Sequence, residues 1–287
     1  MSLALLGYRA LRKLCNCIPP GAAKIILNGL SWLYWKLDFK KGGHVLANLK
    51  VLNRYSTKNL IATQREVYRH FAYFFYEFFS SRPSFALQGN ELKGQISAHL
   101  GVPGESAGLL LVSHTGNWEA SLQQLLHLGY SVTTVVMPHS HADVNDFFKQ
   151  LRHHPHLETF SLADGLSACS QAIKNKRIIA LACERDYSGS GLSIPLFGHS
   201  ISFPKGPAWL MLRYNVPTFL VKSHRLDLLH FSIELEPIPL PSELSGSPIE
   251  KLSYVSERIV SVLFKHILIH TEQWITFDPL FKKIAPH

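Results

Sequence analysis

From residue 108 onward, short apolar runs alternate with amphipathic segments, and this alternation limits the chain to few architectures. Leu109–Ser113 reads as a buried strand, Trp118–Leu128 as a helix, Ser131–Met137 as a strand and Asp143–Arg152 as a helix. Leu166–Lys174 predicts a helix ahead of a strand over Arg177–Cys183, and Pro207–Tyr214 a helix ahead of a strand over Thr218–Lys222. Leu228–Leu235 can add an antiparallel strand, and a helix over Pro248–Ile269 packs the C-terminus. Helices between strands act as crossovers, so the expected fold class is α/β. We expect a single domain with a mainly parallel central sheet flanked by helices, plus an N-terminal amphipathic helical cap. The 287 residues can bury a sizeable core. The expected division runs from 1–85, a helical membrane-associating and packing segment, to 86–287, the α/β core.

Charge narrows the choice of partner. Lys and Arg outnumber Asp and Glu by 29 to 20, a net charge of +9, while charged residues make up only 17% of the chain and hydrophobic ones 46%. That balance excludes a disordered or collagen-like chain. It points to an anionic partner, and the 11% aromatic content turns the choice toward a membrane surface. The cations are too dispersed for nucleic acid. Cys15, Cys17, Cys169 and Cys183 form no disulfide framework, and one intervening residue between the first two fits no usual zinc spacing.

Met1–Ile18 carries Arg9, Arg12 and Lys13 inside its apolar run and lacks the order of a cleavable signal. Ile25–Trp35 is shorter than the roughly 20 residues a spanning helix needs. Lys24–Lys41 reads instead as an interfacial helix: Ile25, Ile26, Leu30 and Leu33 share a face, Trp32 and Trp35 flank it, and Lys36, Lys40 and Lys41 follow. A core-packing helix with a basic solvent end is the alternative. A second helix is expected from Ser56, as N-cap, to Phe79, with Pro83 closing the segment. Its end is aromatic nearly all round, so most of its circumference should be buried.

Chemistry in α/β sheets collects where strands end, and Ser113-His114-Thr115-Gly116-Asn117-Trp118-Glu119 lies there. His114 leaves the strand, Gly116 permits a tight turn and Asn117 can cap the following helix. On a continuous helix His114 and Glu119 would be about 140° apart, so contact depends on the bend at Gly116. If that bend brings them together, the carboxylate holds one imidazole nitrogen and leaves the other as a general base. Otherwise Glu119 merely favours the helix dipole. His139, His141, His153, His154 and His156 surround a Pro155 loop without convergent carboxylates, so no metal is expected there. Gly189 and Gly191 lack the Lys-Ser/Thr ending of a phosphate loop.

The His114–Glu119 block resembles the His-x4-Asp/Glu signature of the lysophospholipid acyltransferase superfamily, and most closely its lipid A biosynthesis (lauroyl/myristoyl) acyltransferase branch. Further blocks follow that family's order: Val45–Leu49, the aromatic helix near Phe79, Arg152, Glu184-Arg185-Asp186, Pro195–Gly198, Pro204–Pro207 and Thr271–Trp274. The Glu184-Arg185-Asp186 form is more like that of the phosphatidylinositol mannoside acyltransferases. Met137 stands where an Arg is common.

This resemblance implies transfer of a fatty acyl group from a thioester, on acyl carrier protein or coenzyme A, to a hydroxyl of a membrane lipid or glycolipid. A lipid A precursor is the first expectation for the acceptor, and the phosphatidylinositol mannoside type the alternative. His114 would be the base and Glu119 its orienting carboxylate. Asn117, Arg152, Arg185, Asp186, Lys205 and Gly206 would bind substrate or the developing oxyanion. No cofactor is implied, and the protein would sit peripherally on the cytoplasmic face of the inner membrane. The rival from another class is a non-catalytic lipid-binding protein on the same fold.

Overall fold

Most of the strands form one large sheet whose order differs from their order in the chain. The computed structural model describes residues 2–55, 58–82, 85–86 and 89–283. Four helices come first: α1 (Leu3–Cys17), α2 (Pro20–Leu37), α3 (Phe39–Leu52) and α4 (Leu60–Phe79). β1 (Phe85–Ala86) and α5 (Gly89–Leu100) lead into β2 (Gly108–Val112), α6 (Trp118–His127), β3 (Val132–Val136) and α7 (Ala142–Leu151). Next are β4 (Leu157–Ser161), α8 (Gly165–Lys174), β5 (Ile178–Ala182) and the hairpin β6 (Leu192–Leu196)–β7 (His199–Phe203). α9 (Lys205–Tyr214), β8 (Thr218–Asp227), β9 (His230–Pro237), α10 (Pro248–Ile269) and β10 (Lys282–Lys283) complete the described chain.

The large sheet runs β1-β9-β8-β2-β5-β3-β4, and β10-β7-β6 form a small second sheet. β8, β2, β5, β3 and β4 are parallel, and β9 turns antiparallel along β8. The chain passes from β2 to β3 and β4, then doubles back to insert β5 between β2 and β3. Right-handed crossovers in opposite directions put their helices on opposite faces. Accordingly Leu122, Leu125 and Leu126 of α6 pack with Leu110 and Ala180, while Cys169 and Ala172 of α8 pack with Leu109, Leu111 and Ile179. Such a reversal leaves a crevice at the carboxyl ends of the strands. Pairing of β3 with β5 stops at Thr134–Ala180, although β2–β5 continues to Val112–Ala182 and β3–β4 to Val136–Ser161. β3 and β5 therefore part over their last two residues, which widens the crevice.

Several expectations are corrected. The interfacial helix over Lys24–Lys41 ends at Leu37, because Asp38 leaves helical geometry and its side chain accepts from the Lys41 amide to start α3. Ser56 and Pro83 lie outside the described residues; α4 starts at Leu60, capped by Asn59. The aromatic end of α4 is covered by other helices: Tyr73, Tyr76 and Phe79 share a cluster with Leu5 of α1 and Phe147 of α7. β8 runs on past Lys222 to Asp227. β4 went unpredicted, since Leu157-Glu-Thr-Phe-Ser161 forms an edge strand with no apolar run to betray it. All four cysteines are free thiols, with Cys17 exposed and the others buried. Among the described residues no helix is long and apolar enough to cross a membrane.

Candidate active site

His114 stands two residues beyond the end of β2, followed by the bend at Gly116, whose φ is +67°. A Cβ there would lie 2.6 Å from the Ser223 carbonyl oxygen, so the bend requires glycine for space as well as for conformation. Asn117 caps α6 by accepting the Ala120 amide at 2.9 Å.

The carboxylate that meets the imidazole belongs to Glu184. His114 Nδ1 lies 2.5 Å from Glu184 Oε1, and the His114 backbone N–H donates to the same oxygen at 3.2 Å. Glu184 lies two residues beyond β5 and is wholly buried. Because β5 is the sheet neighbour of β2, two residues 70 apart in sequence meet at one edge. Burial pushes the Glu184 carboxyl up, but the His114 ring and the Arg185 guanidinium hold it down at about 2. An ionised Glu184 can only accept, so Nδ1 carries a hydrogen, and in the neutral ring Nε2 is the nitrogen with the lone pair. The ring lines the cavity described below, with the Trp118 indole edge-on at 4.6 Å.

Glu119, the expected partner of His114, is engaged elsewhere. Arg152 grips its carboxylate through Nε at 3.0 and 3.1 Å and through Nη2 at 2.6 Å. The reason is directional: Glu119 sits in the first turn of α6 and faces the end of α7, where Arg152 is the C-cap. The guanidinium also lies over the rings of Phe78 and Phe148 at 4.9 and 5.9 Å. Glu119 and Arg152 thus form one neutralised wall of the cavity rather than a base-orienting carboxylate and a free cation.

The remaining expected residues divide into two groups. Arg185, Lys205 and Gly206 line the cavity. Arg185 is fixed by bonds to the Ile275 carbonyl and the Tyr187 hydroxyl, while Lys205 and Gly206 open α9, whose N-cap Pro204 offers no side-chain cap. Asp186 also borders the cavity, but both its oxygens are occupied, by Ser188 and Gly191 of its own loop and by Ser202 of β7. Asn117, expected to bind substrate, donates its side-chain amide to Glu77 at 2.6 Å and is buried outside the cavity lining. His139, expected on a solvated loop, stacks on Phe148 at 4.2 Å and borders the cavity.

The cavity holds about 560 Å³, within the ordinary range for small-molecule sites. Leu110, Leu122 and Leu125 wall it on the α6 face, and Leu166, Cys169 and Leu210 on the α8 face. Val135 and Leu181, where β3 and β5 part, line it as well. The polar groups of its lining include His114, Arg185, Tyr187, Ser188 and Lys205 as well as the Glu119–Arg152 pair. Such a chamber suits a long apolar chain whose reactive end stops at the imidazole.

Neither the two thiols of the cavity lining nor the hydroxyl of Ser113 is set up as a nucleophile. Burial pushes the Cys169 thiol up to about 11 and the Cys183 thiol well above its usual range. The buried Ser113 hydroxyl donates to Thr115 at 2.9 Å. Among the described residues no group of three or more His, Cys, Asp or Glu could hold a metal ion.

Sequence reasoning quoted Glu184 only as the start of a block and gave the roles to Arg185 and Asp186. Its available signal was position: a carboxylate just past a buried strand, at the same sheet edge as His114.

A family model described as bacterial lipid A biosynthesis acyltransferase matches residues 3–283. Phosphatidylinositol mannoside acyltransferases from two strains of Mycobacterium tuberculosis are similar to this chain over 112 residues, at 29% and 28% identity. Each match covers 37% of this chain and 35% of the relative, so the similarity spans about a third of those proteins.

Proposed function

The chain belongs to the bacterial lipid A biosynthesis acyltransferase family, and from that premise we propose that it moves a fatty acyl group from a thioester donor to a hydroxyl of a membrane glycolipid. The observation that carries this reading is the His114–Glu184 pair, whose imidazole lines a largely apolar chamber. His114 Nε2 removes the acceptor hydroxyl proton as the oxygen attacks the thioester carbonyl. Glu184 keeps Nδ1–H aimed and balances the imidazolium that forms. The tetrahedral intermediate collapses by breaking the carbon–sulfur bond, and the departing thiolate takes the proton back from Nε2. No enzyme-bound acyl group is required, because the thioester is already activated.

Arg185 at the chamber wall supplies positive field near the developing oxyanion. The uncapped N-terminus of α9, with Lys205, suits a phosphate of donor or acceptor. A glycolipid acceptor is favoured by what the family description and the related mycobacterial enzymes act on. A lipid A precursor is the first candidate and a mannosylated phosphoinositide the second. The net charge of +9 suits an acidic carrier protein or the phosphates of coenzyme A alike.

Peripheral attachment to the cytoplasmic face of the inner membrane belongs to the same reading. It is supported by the exposed Leu3, Ile25, Leu33, Leu37 and Phe39 on α1–α3, with Lys36 Nζ 4.7 Å from the centre of the Trp35 ring. Thiol release from palmitoyl-coenzyme A and from palmitoyl carrier protein, with glycolipid vesicles, tests the assignment. His114→Ala should lower turnover by about 10²–10⁴-fold while vesicle binding persists. Equal turnover in wild type and variant would refute the base assignment, and no turnover by the wild type would leave a lipid-binding protein.

A further inference from the structure

Beneath the His114 bend lies a charged cluster that touches neither the chamber nor the imidazole. Arg225 near the end of β8 and Glu77 on α4 are 1% and 2% exposed at their side chains. Arg225 donates Nε and Nη2 to the two Glu77 oxygens at 3.0 and 2.6 Å. Its Nη2 also donates to the Gly116 carbonyl at 3.2 Å, and its Nη1 meets His70 Nδ1 at 2.9 Å. A guanidinium can only donate, so His70 accepts as the neutral ring, in keeping with burial and then Arg225 lowering its proton affinity. Glu77 takes two more donors, the Asn117 amide at 2.6 Å and the Leu229 backbone N–H at 3.0 Å.

The far side of the bend is held as firmly. Gln273 binds both backbone groups of Arg225, accepting its N–H at 2.6 Å and donating to its carbonyl at 2.9 Å. The Gln273 carbonyl accepts the Gly116 N–H at 3.3 Å, and the Ile275 N–H donates to the His114 carbonyl at 2.8 Å. Gly116 therefore has both backbone groups bonded to this frame, one to an ion and one to the segment that also holds the ion's own backbone. Burying an ion pair gains little stability by itself, whereas fixing a base to within a fraction of an ångström governs its rate.

We propose that Arg225 and Glu77, tied down by Gln273, are positioning residues that set where the His114 ring stands. The inference rests on reading His114 as the base. Arg225→Lys keeps the charge but cannot span both Glu77 oxygens and the Gly116 carbonyl. Glu77→Gln/Arg225→Met removes both charges together and leaves no lone buried ion. For each variant that folds, kcat with palmitoyl-coenzyme A should fall roughly 10- to 100-fold per folded molecule, with KM within about threefold. A merely structural pair would lower the melting temperature and leave kcat per folded molecule within about twofold of wild type. That result overturns the inference.

His114→Ala measured alongside separates the two readings. If it is as active as wild type, the base assignment has failed; if it is inactive while the folded Arg225 variants keep full kcat, only the positioning role has. Should neither Arg225 variant fold, amide hydrogen exchange on the wild-type protein decides. The Gly116 N–H should then be protected as strongly as those of β2. Exchange as fast as at the Gly189 loop would overturn the role.

Discussion

Glu184→Gln isolates the electrostatic half of the His114–Glu184 pair, since it keeps the shape of the side chain and removes its charge. In the wild type the buried carboxylate faces Nδ1 at 2.5 Å and is ionised at every pH at which the enzyme is expected to work. When Nε2 takes the acceptor proton, a unit positive charge forms on a ring whose centre is about 4 Å from that negative charge. At the effective dielectric near 20 that suits such sites, the attraction is about 4 kcal/mol. At about 1.4 kcal/mol per decade, kcat should fall roughly a thousandfold. The glutamine amide can also present N–H to Nδ1 and fix the wrong tautomer, which adds to the loss rather than offsetting it. KM for the donor should change little, because Glu184 does not line the chamber. The assay is thiol release from palmitoyl-coenzyme A over glycolipid vesicles, with Glu119→Gln as the comparison. Glu184→Gln within about tenfold of wild type, beside a thousandfold loss in Glu119→Gln, would refute the pairing and return the role to Glu119.

Further outcomes follow from the same contacts. Arg152→Met leaves the largely buried Glu119 carboxylate without its partner and should destabilise the protein by roughly 3 kcal/mol in denaturant melts; Glu119→Gln/Arg152→Met should recover most of it. An unrecovered double variant would show that packing, not charge, dominates there. Leu125→Trp fills the α6 side of the chamber and should lower turnover of palmitoyl relative to decanoyl thioester by roughly tenfold. An unchanged chain-length profile would mean that the acyl chain lies elsewhere. Glu184, held near 2 in the fold against an ordinary value of 4.5, stabilises the protein above its unfolded value. That contribution should fade as pH falls from about 4.5 through about 2, so the stability gap between wild type and Glu184→Gln should shrink across that window. A gap that stays constant in acid melts would contradict it.

Much of this protein can be read without coordinates. Apolar runs and amphipathic periods located β2, β3, β5 and β8 of the large sheet but neither β1 nor β4, and they bounded α10 at Pro248 and Ile269. The His114-Thr-Gly-Asn block announced a strand end, a bend and a helix cap, and all three stand there. These are local matters: burial on one side, a glycine's backbone freedom and an asparagine's affinity for free amides act over a few residues. The identity of the carboxylate beside the imidazole is not local. It depends on β5 returning to lie between β2 and β3, and no pattern within either strand encodes which neighbour it will have. For the same reason Glu119, five residues from His114, turned to an arginine at the end of another helix. Glu77 and Arg225, 148 residues apart, meet only because α4 and β8 close beneath the bend. Periodicity states which face of an element is buried; sheet order and helix packing decide what it is buried against.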